Sequence, residues 1–378
     1  MGEPVRVAQI MGYMNGGGVE QVVMNYYRHI DRSRVQFDLI VCEGSAMVPL
    51  DEVESLGGRV FMVPAYSRVL AFQRSLLDLF RQERWPVVHS HMNALSVFPL
   101  RAAKRAGVPV RIAHSHSTAG RGELAKNALK YALRPLANAY PTRRMACSRH
   151  AGEWLFGKGV DFDVVPNAIE LDRFAFDPEA RAELRAELDV SGDQLLVGHI
   201  GRFMPQKNQG FLLEVFAEVL RRDPSAVLAM AGEGPQLAEM EERAVALGVS
   251  GSVRFLGQRA DAARLYSAFD VFCLPSLYEG LGMVAVEAQV AGLPCLLSEA
   301  VPQEADVTGA CRFLSLDSLT VWINEIMTAS RTNPICRQMD RTPFANFDID
   351  IATRRLMNAY EQLAGIRCGW TEDSRVYF

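Results

Sequence analysis

The chain has 378 residues, too many for one ordinary domain and enough for two of roughly 150–200. Apolar residues make up 49% and charged residues 22%, a balance that excludes a disordered chain. The net charge of −4 is uneven: Arg101–Arg149 holds eleven basic residues against Glu123 alone, so that segment is +10 and the remainder −14. Such a block suits either a solvated face or contact with something anionic. No apolar run approaches the roughly 18 residues of a membrane span. The N-terminus has an early acid and early glycines, unlike a signal peptide, so a cytoplasmic chain is expected. Seven cysteines, odd in number and never spaced C-x-x-C, predict reduced, buried thiols and no zinc ribbon.

Taken in chain order, short β-branched and apolar runs predict strands at 5–10, 37–42, 59–63, 86–90, 110–115, 144–147 and 163–166. A charged, strand-free stretch follows at 170–194. Strands resume at 195–200, 226–231, 253–257, 270–274, 293–297 and 311–314. Amphipathic helices are predicted at 208–222, 234–248 and 350–366. Strands apolar on both faces and separated by helices are parallel and covered on both sides. The fold class is therefore α/β, with two doubly wound, Rossmann-like domains. The predicted division is 1–175 with the returning helix 350–366, and 176–349. Ligands are expected at the carboxyl ends of the strands, in an inter-domain cleft.

Four features at strand ends could carry chemistry. The first strand runs into Gly12-Tyr-Met-Asn-Gly-Gly17-Gly18, whose glycines suit either a tight turn or a phosphate contact. The strand at 195–200 runs into Gly201-Arg202-Phe-Met-Pro-Gln-Lys207, where two cations could grip a diphosphate or simply face solvent. After the strand at 270–274 come Glu279, Gly280, Leu281, Gly282 and Met283, and Glu287 lies about one turn inside the next helix. A carboxylate among apolar neighbours needs hydroxyl or amide partners, which sugar or ribose hydroxyls would supply. His-Ser-His occurs at 89–91 and again at 114–116, so four imidazoles could gather. Zinc is one reading, and would make a metal-dependent hydrolase. With no acid or cysteine following closely, the expectation is one functional histidine with satisfied or solvent-facing neighbours. The D-x-D triplets at 161–163 and 348–350 are read as surface acids.

Together NGGGVEQ (15–21), PNAIELDRF (166–174), GRFMPQKN (201–208), AGEGP (231–235), the run 253–276 and EGLGMVAVE (279–287) resemble glycosyltransferase family 4 of the GT-B fold. The last piece is an E-x7-E signature, and His-Ser-His at 114–116 resembles the branch that builds bacterial exopolysaccharide and capsule. The likeness spans almost everything up to about residue 315. It implies a retaining transferase that moves a sugar from a nucleotide-sugar, a UDP-sugar by preference, to a lipid-linked or saccharide acceptor, with no metal or other cofactor and no nucleic acid. A GT-B sugar-nucleotide epimerase and a non-catalytic nucleotide-sugar sensor remain alternatives.

Carried over onto this chain, the resemblance places Arg202 and Lys207 on the diphosphate and Glu287 on the ribose hydroxyls. Glu279 would meet the donor sugar, with Gly280 and the N–H groups of Leu281, Gly282 and Met283 beside the phosphates. The backbone at Gly257 and Gln258 would line the base. Gly17 and Gly18 would close on the donor, and His116, with His114 as runner-up, would stand near the transferred sugar. Arg101, Lys104, Arg105, Arg121, Lys126, Lys130 and Arg134 would form a basic face for an anionic acceptor or the inner leaflet of the plasma membrane. One departure is Ala168-Ile-Glu170, where the family more often has glycine and aspartate.

Overall fold

A computed structural model describes residues 3–116, 124–332, 337 and 340–365, with side chains described outside 124–127 and 330–332. The chain forms two compact units, one from the residues up to Ile169 and again from Asn346, the other from Glu170–Ala345.

The first unit carries β1 (Val5–Gly12), β2 (Val35–Cys42), β3 (Val60–Val63), β4 (Val87–Ser90), β5 (Val110–Ser115), β6 (Arg143–Ala146) and β7 (Asp163–Val164). All pair in parallel, in the order β3-β2-β1-β4-β5-β6-β7. The second unit carries β8 (Leu196–Ile200), β9 (Val227–Ala231), β10 (Val253–Phe255), β11 (Val271–Leu274), β12 (Cys295–Ser298) and β13 (Cys311–Leu314). These too are parallel, in the order β10-β9-β8-β11-β12-β13. The doubly wound α/β reading therefore holds, and every strand expected from the sequence is present. Each sheet is packed on both faces, since β2 is buried at every position, as are β9, β11 and β12. In each sheet the order reverses beside the first strand, between β1 and β4 and between β8 and β11. A crevice opens there at the carboxyl ends of the strands.

The helix expected at 350–366 spans Ile349–Leu363 and belongs to the first unit. The chain is tied there by Ile169, whose N–H donates to Phe347 O (2.8 Å) and whose carbonyl accepts from Ile349 N (3.1 Å). Asp348 is no loose surface acid: it caps this helix by accepting from Asp350 N. Asp163 is likewise half-buried, on β7 and ion-paired with Arg143 (3.3 Å). The five described cysteines, 42, 147, 273, 295 and 311, are free and buried; Cys336 and Cys368 lie outside the described residues.

Two glycines set how closely the loops after β8 and β9 approach. A Cβ on Gly232 (φ +141°) would stand 2.2 Å from the Gly201 carbonyl oxygen, and one on Gly234 (φ +156°) 2.2 Å from that of Phe203. Both clashes are with backbone, so relief requires moving the loop that carries Arg202 and Lys207. Gly232→Ala is expected to lower stability by more than about 1 kcal/mol in urea unfolding.

Candidate functional site

In the second unit the crevice beside β8 and β11 is built from two loops. The first, Gly201–Asn208, leaves β8 and enters the helix Gln209–Arg222. The second runs from the end of β11 to the helix Met283–Val290, which Gly282 opens at φ +85°. Leu277 N donates to Gln206 O (2.8 Å), so the loops are pinned to each other by backbone.

Across this pair, Lys207 Nζ stands 2.6 Å from Glu279 Oε1, and both side chains are largely buried. Glu279 also accepts from Ser276 Oγ (2.7 Å). Gln206 Nε2 donates to Tyr278 O (2.9 Å) and lies 3.4 Å from Glu279 Oε2. Arg202 is exposed and makes no ion pair among the described residues. The structure brings Lys207 and Glu279 together, with Arg202 on the same loop as Lys207; that Lys207 and Glu279 neutralise each other had no signal in the sequence. The N-terminus of the helix Met283–Val290, where Ala285 N donates to Gly282 O (2.8 Å), adds positive potential at the same end.

Glu287, one turn into that helix, is half-buried and accepts a hydrogen bond from Tyr266 OH at Oε2 (2.6 Å). Burial pushes its carboxyl up from the ordinary value, against the Tyr266 bond and the charges of Lys207 and Arg173. Gly257 (φ +60°) receives the Gly232 N–H on its carbonyl (2.8 Å), and Gln258 is exposed. One residue that sequence reasoning missed is His199, on β8 and fully buried. Its Nδ1 lies 2.9 Å from Cys273 O and its Nε2 3.3 Å from Gln209 Nε2, which in turn donates to Arg202 O (3.0 Å). It props the cationic loop from beneath, and inside an apolar strand it carries no local signal.

In the first unit, the glycine loop after β1 already holds an anion. The backbone N–H groups of Asn15, Gly16 and Gly17 donate to the Glu20 carboxylate at 3.0, 2.6 and 3.0 Å. Gly18 has open space beside it. The acid three residues after Gly17, as in a capping box, was the available signal.

The four imidazoles at the ends of β4 and β5 do gather, and all are buried: neither satisfied singly nor facing solvent, they form one network. His91 Nδ1 lies 2.8 Å from His116 Nε2, and His91 Nε2 lies 2.8 Å from Gln9 Oε1. Gln9 Nε2 donates to Tyr360 OH (3.1 Å), which is 2.7 Å from His89 Nδ1. His89 Nε2 is 3.1 Å from His114 Nδ1. His114 Nε2 and His116 Nδ1 are buried with no hydrogen-bond partner among the described residues. Burial, chiefly, pushes His89 and His116 down to about 3 and holds His91 and His114 well below the usual imidazole range. His89, His91 and His114 offer ligand atoms within 4.8 Å of one another. The residues lining the small cavity around them include no carboxylate to offset a divalent charge. Gln9 and Tyr360 were missed; a glutamine inside an apolar strand was the only cue.

The basic segment is not one patch. Arg101, Lys104 and Arg105 are exposed on the helix Val97–Ala106, while Lys130 and Arg134 are half-buried. Lys104 lies over the Tyr140 ring (5.9 Å) and Arg134 over the Trp154 ring (5.7 Å). Arg111 and Arg144 are turned inward to Tyr140 O and Asn138 Oδ1, and Arg143 pairs with Asp163. Arg121 and the side chain of Lys126 lie outside the described residues.

Two doubly wound units of this kind, with a lysine and an acid meeting at the crevice of the second, are the architecture of the GT-B fold. Residues 17–168 match the glycosyl transferase 4-like domain and 180–310 match glycosyl transferases group 1. Over 368 residues the chain is 36% identical to a Bacillus subtilis (strain 168) protein named glycosyltransferase EpsF, covering 94% of this chain and 96% of that one. It is also 26% identical to an Escherichia coli UDP-Gal:alpha-D-GlcNAc-diphosphoundecaprenol alpha-1,3-galactosyltransferase, over 78% of this chain and 79% of the other. Among solved structures it is similar to Anabaena HepE in complex with UDP-glucose, with a TM-score of 0.78 at 19% identity over 94% and 99% of the two chains. The chain belongs to glycosyltransferase family 4.

The depressed histidines make stability depend on pH. Unfolded imidazoles take up protons below about 6.5, while His89 and His116 resist protonation down to about 3 and His199 to about 4. Their contribution is complete above pH 6.5 and is lost as pH falls toward the folded values, by about 1.4 kcal/mol per pH unit for each group. Urea midpoints should therefore drop clearly between pH 7 and pH 5; equal midpoints would mean the imidazoles are not held neutral.

Proposed function

We propose that this glycosyltransferase is retaining and metal-independent, and that it transfers a sugar from a UDP-sugar to a lipid-linked or saccharide acceptor in bacterial surface-polysaccharide synthesis. The observation that carries this reading is the contact of Lys207 with Glu279 beside the start of the helix Met283–Val290 at one strand-order reversal, with Arg202 on the same loop as Lys207. The Escherichia coli relative, a galactosyltransferase whose name includes a UDP-sugar and a lipid diphosphate, supports the donor and acceptor classes.

The chemistry follows from charge. As the nucleotide leaves, negative charge grows on the diphosphate while the sugar becomes oxocarbenium-like. Arg202, Lys207 and the helix start supply fixed positive charge in that place, the work a divalent ion would otherwise do. Because Lys207 is already bonded to Glu279, a diphosphate has to share or displace that carboxylate, which then becomes free to accept from a sugar hydroxyl. Glu287 keeps Oε2 on Tyr266 and offers Oε1 to the ribose. Gly257 and Gln258 take the base, and Gly17, Gly18 and His116 are assigned to the donor's sugar side. The β-phosphate takes the acceptor's proton on the face the nucleotide leaves, which keeps the anomeric configuration without a protein nucleophile.

Lys207→Ala should lower transfer roughly 10–100-fold through loss of one charged contact. Unaltered turnover in both Lys207→Ala and Glu287→Ala, or activity abolished by EDTA, overturns the assignment. Product analysis with donor alone and with acceptor separates transfer from epimerisation and from binding without turnover.

The acceptor side is supported by exposed Leu129, Tyr131 and Leu136, which interleave with Lys130 and Arg134. A pocket of about 310 Å³ lined by Tyr131, Arg134, Leu155 and Phe156 lies alongside. Apolar side chains among cations fit a peripheral contact with the inner leaflet. Among the described residues no helix is long and apolar enough to cross a membrane. Binding to liposomes should rise with anionic lipid and fall with salt; no binding, or binding indifferent to salt, removes the membrane reading.

A further inference from the structure

The histidine network has a direction, and one residue sets it. Gln9 Oε1 can only accept, so His91 donates to it from Nε2 (2.8 Å). Within a buried cavity whose lining includes no carboxylate, these imidazoles are neutral, with one N–H each. His91 Nδ1 is therefore bare and accepts from His116 Nε2–H (2.8 Å), which leaves His116 Nδ1 bare.

On the other side of the amide, Gln9 Nε2 donates to the Tyr360 oxygen (3.1 Å). The phenol proton then goes to His89 Nδ1 (2.7 Å), its remaining partner among the described residues. His89 donates from Nε2 to His114 Nδ1 (3.1 Å), so His114 carries its proton on Nε2. The ends of the chain are the two buried ring nitrogens without partners, a bare acceptor on His116 and a donor on His114. Both rings line the same cavity, stacked with centroids 4.0 Å apart. An amide does not readily pass a proton along, so the chain orients and does not relay.

We propose that Gln9 is a positioning residue: through its two-sided amide, with Tyr360 relaying one side, it holds all four histidines as the Nε2–H tautomer and so presents His116 with a bare Nδ1 beside the His114 N–H. The pair of ends, one accepting and one donating, is the complement of a hydroxyl group. The bearing on catalysis rests on the assignment of His116 to the donor's sugar side; the tautomers themselves do not.

The test is long-range nitrogen–proton NMR of the full chain carrying labelled histidine, of which there are seven residues, with single His→Gln variants for assignment. Pyrrole-type and pyridine-type nitrogens separate the tautomers. In the unaltered protein at neutral pH all four should be Nε2–H. Tyr360→Phe should release only His89 and His114, leaving His91 and His116 unmoved. Gln9→Leu should release His91 and His116 directly, and His89 and His114 through the unanchored Tyr360 hydroxyl, with transfer falling about tenfold and UDP affinity unchanged. A proton on His116 Nδ1 in the unaltered protein, or a His116 signal unmoved in Gln9→Leu, overturns the proposal; should Gln9→Leu not fold, the first of these readings still decides. Released tautomers with undiminished transfer would instead remove His116 from the reaction and leave Gln9 in its role.

Discussion

In both sheets the strand order turns back beside the first strand, and nearly everything of functional interest follows from that constraint. Parallel strands covered on both faces leave their carboxyl ends as the place where loops can diverge, and they diverge most at the reversal. In the second unit this puts the loop after β8 against the loop after β11, so a lysine and a glutamate far apart in sequence come within 2.6 Å. In the first unit it sets the glycine loop after β1 beside the ends of β4 and β5, where the histidines are. The same topology, used twice, builds an anion-holding loop and a neutral polar network.

Each unit satisfies its anion-holding loop with its own carboxylate. Glu20 takes the three N–H groups of the NGGG loop, and Glu279 takes the ammonium of Lys207. In each unit, then, a carboxylate of the same chain supplies the acceptor that the loop's donors need. Under the function proposed above, binding at Lys207 is an exchange in which a phosphate takes the place of the Glu279 carboxylate. Arg202 is exposed and outside any ion pair among the described residues.

The histidines show how burial changes what a motif means. Read as spacing, two His-Ser-His tripeptides suggest metal ligands. In the fold they are four imidazoles with no acid lining their cavity, tied through Gln9 to a tyrosine from the returning helix. Desolvation favours their uncharged form, and hydrogen bonds through Gln9 and Tyr360 link them into one network.

From the sequence alone one could read the architecture, because alternating apolar runs and helical periodicity are local properties that depend on neighbours a few residues apart. The strands, the returning helix, the place of Arg202, Lys207 and Glu279 in loops after strands, and that of Glu287 one turn into a helix were all legible in this way. What only the tertiary structure decided were the pairings: Lys207 with Glu279, Glu287 with Tyr266, Arg111 and Arg144 turned inward from the basic segment, and Gln9 with Tyr360, 351 residues apart. A side chain's charge and chemistry are written at its own position, but its partner is set by which strand ends the sheet order brings together, and no local pattern carries that.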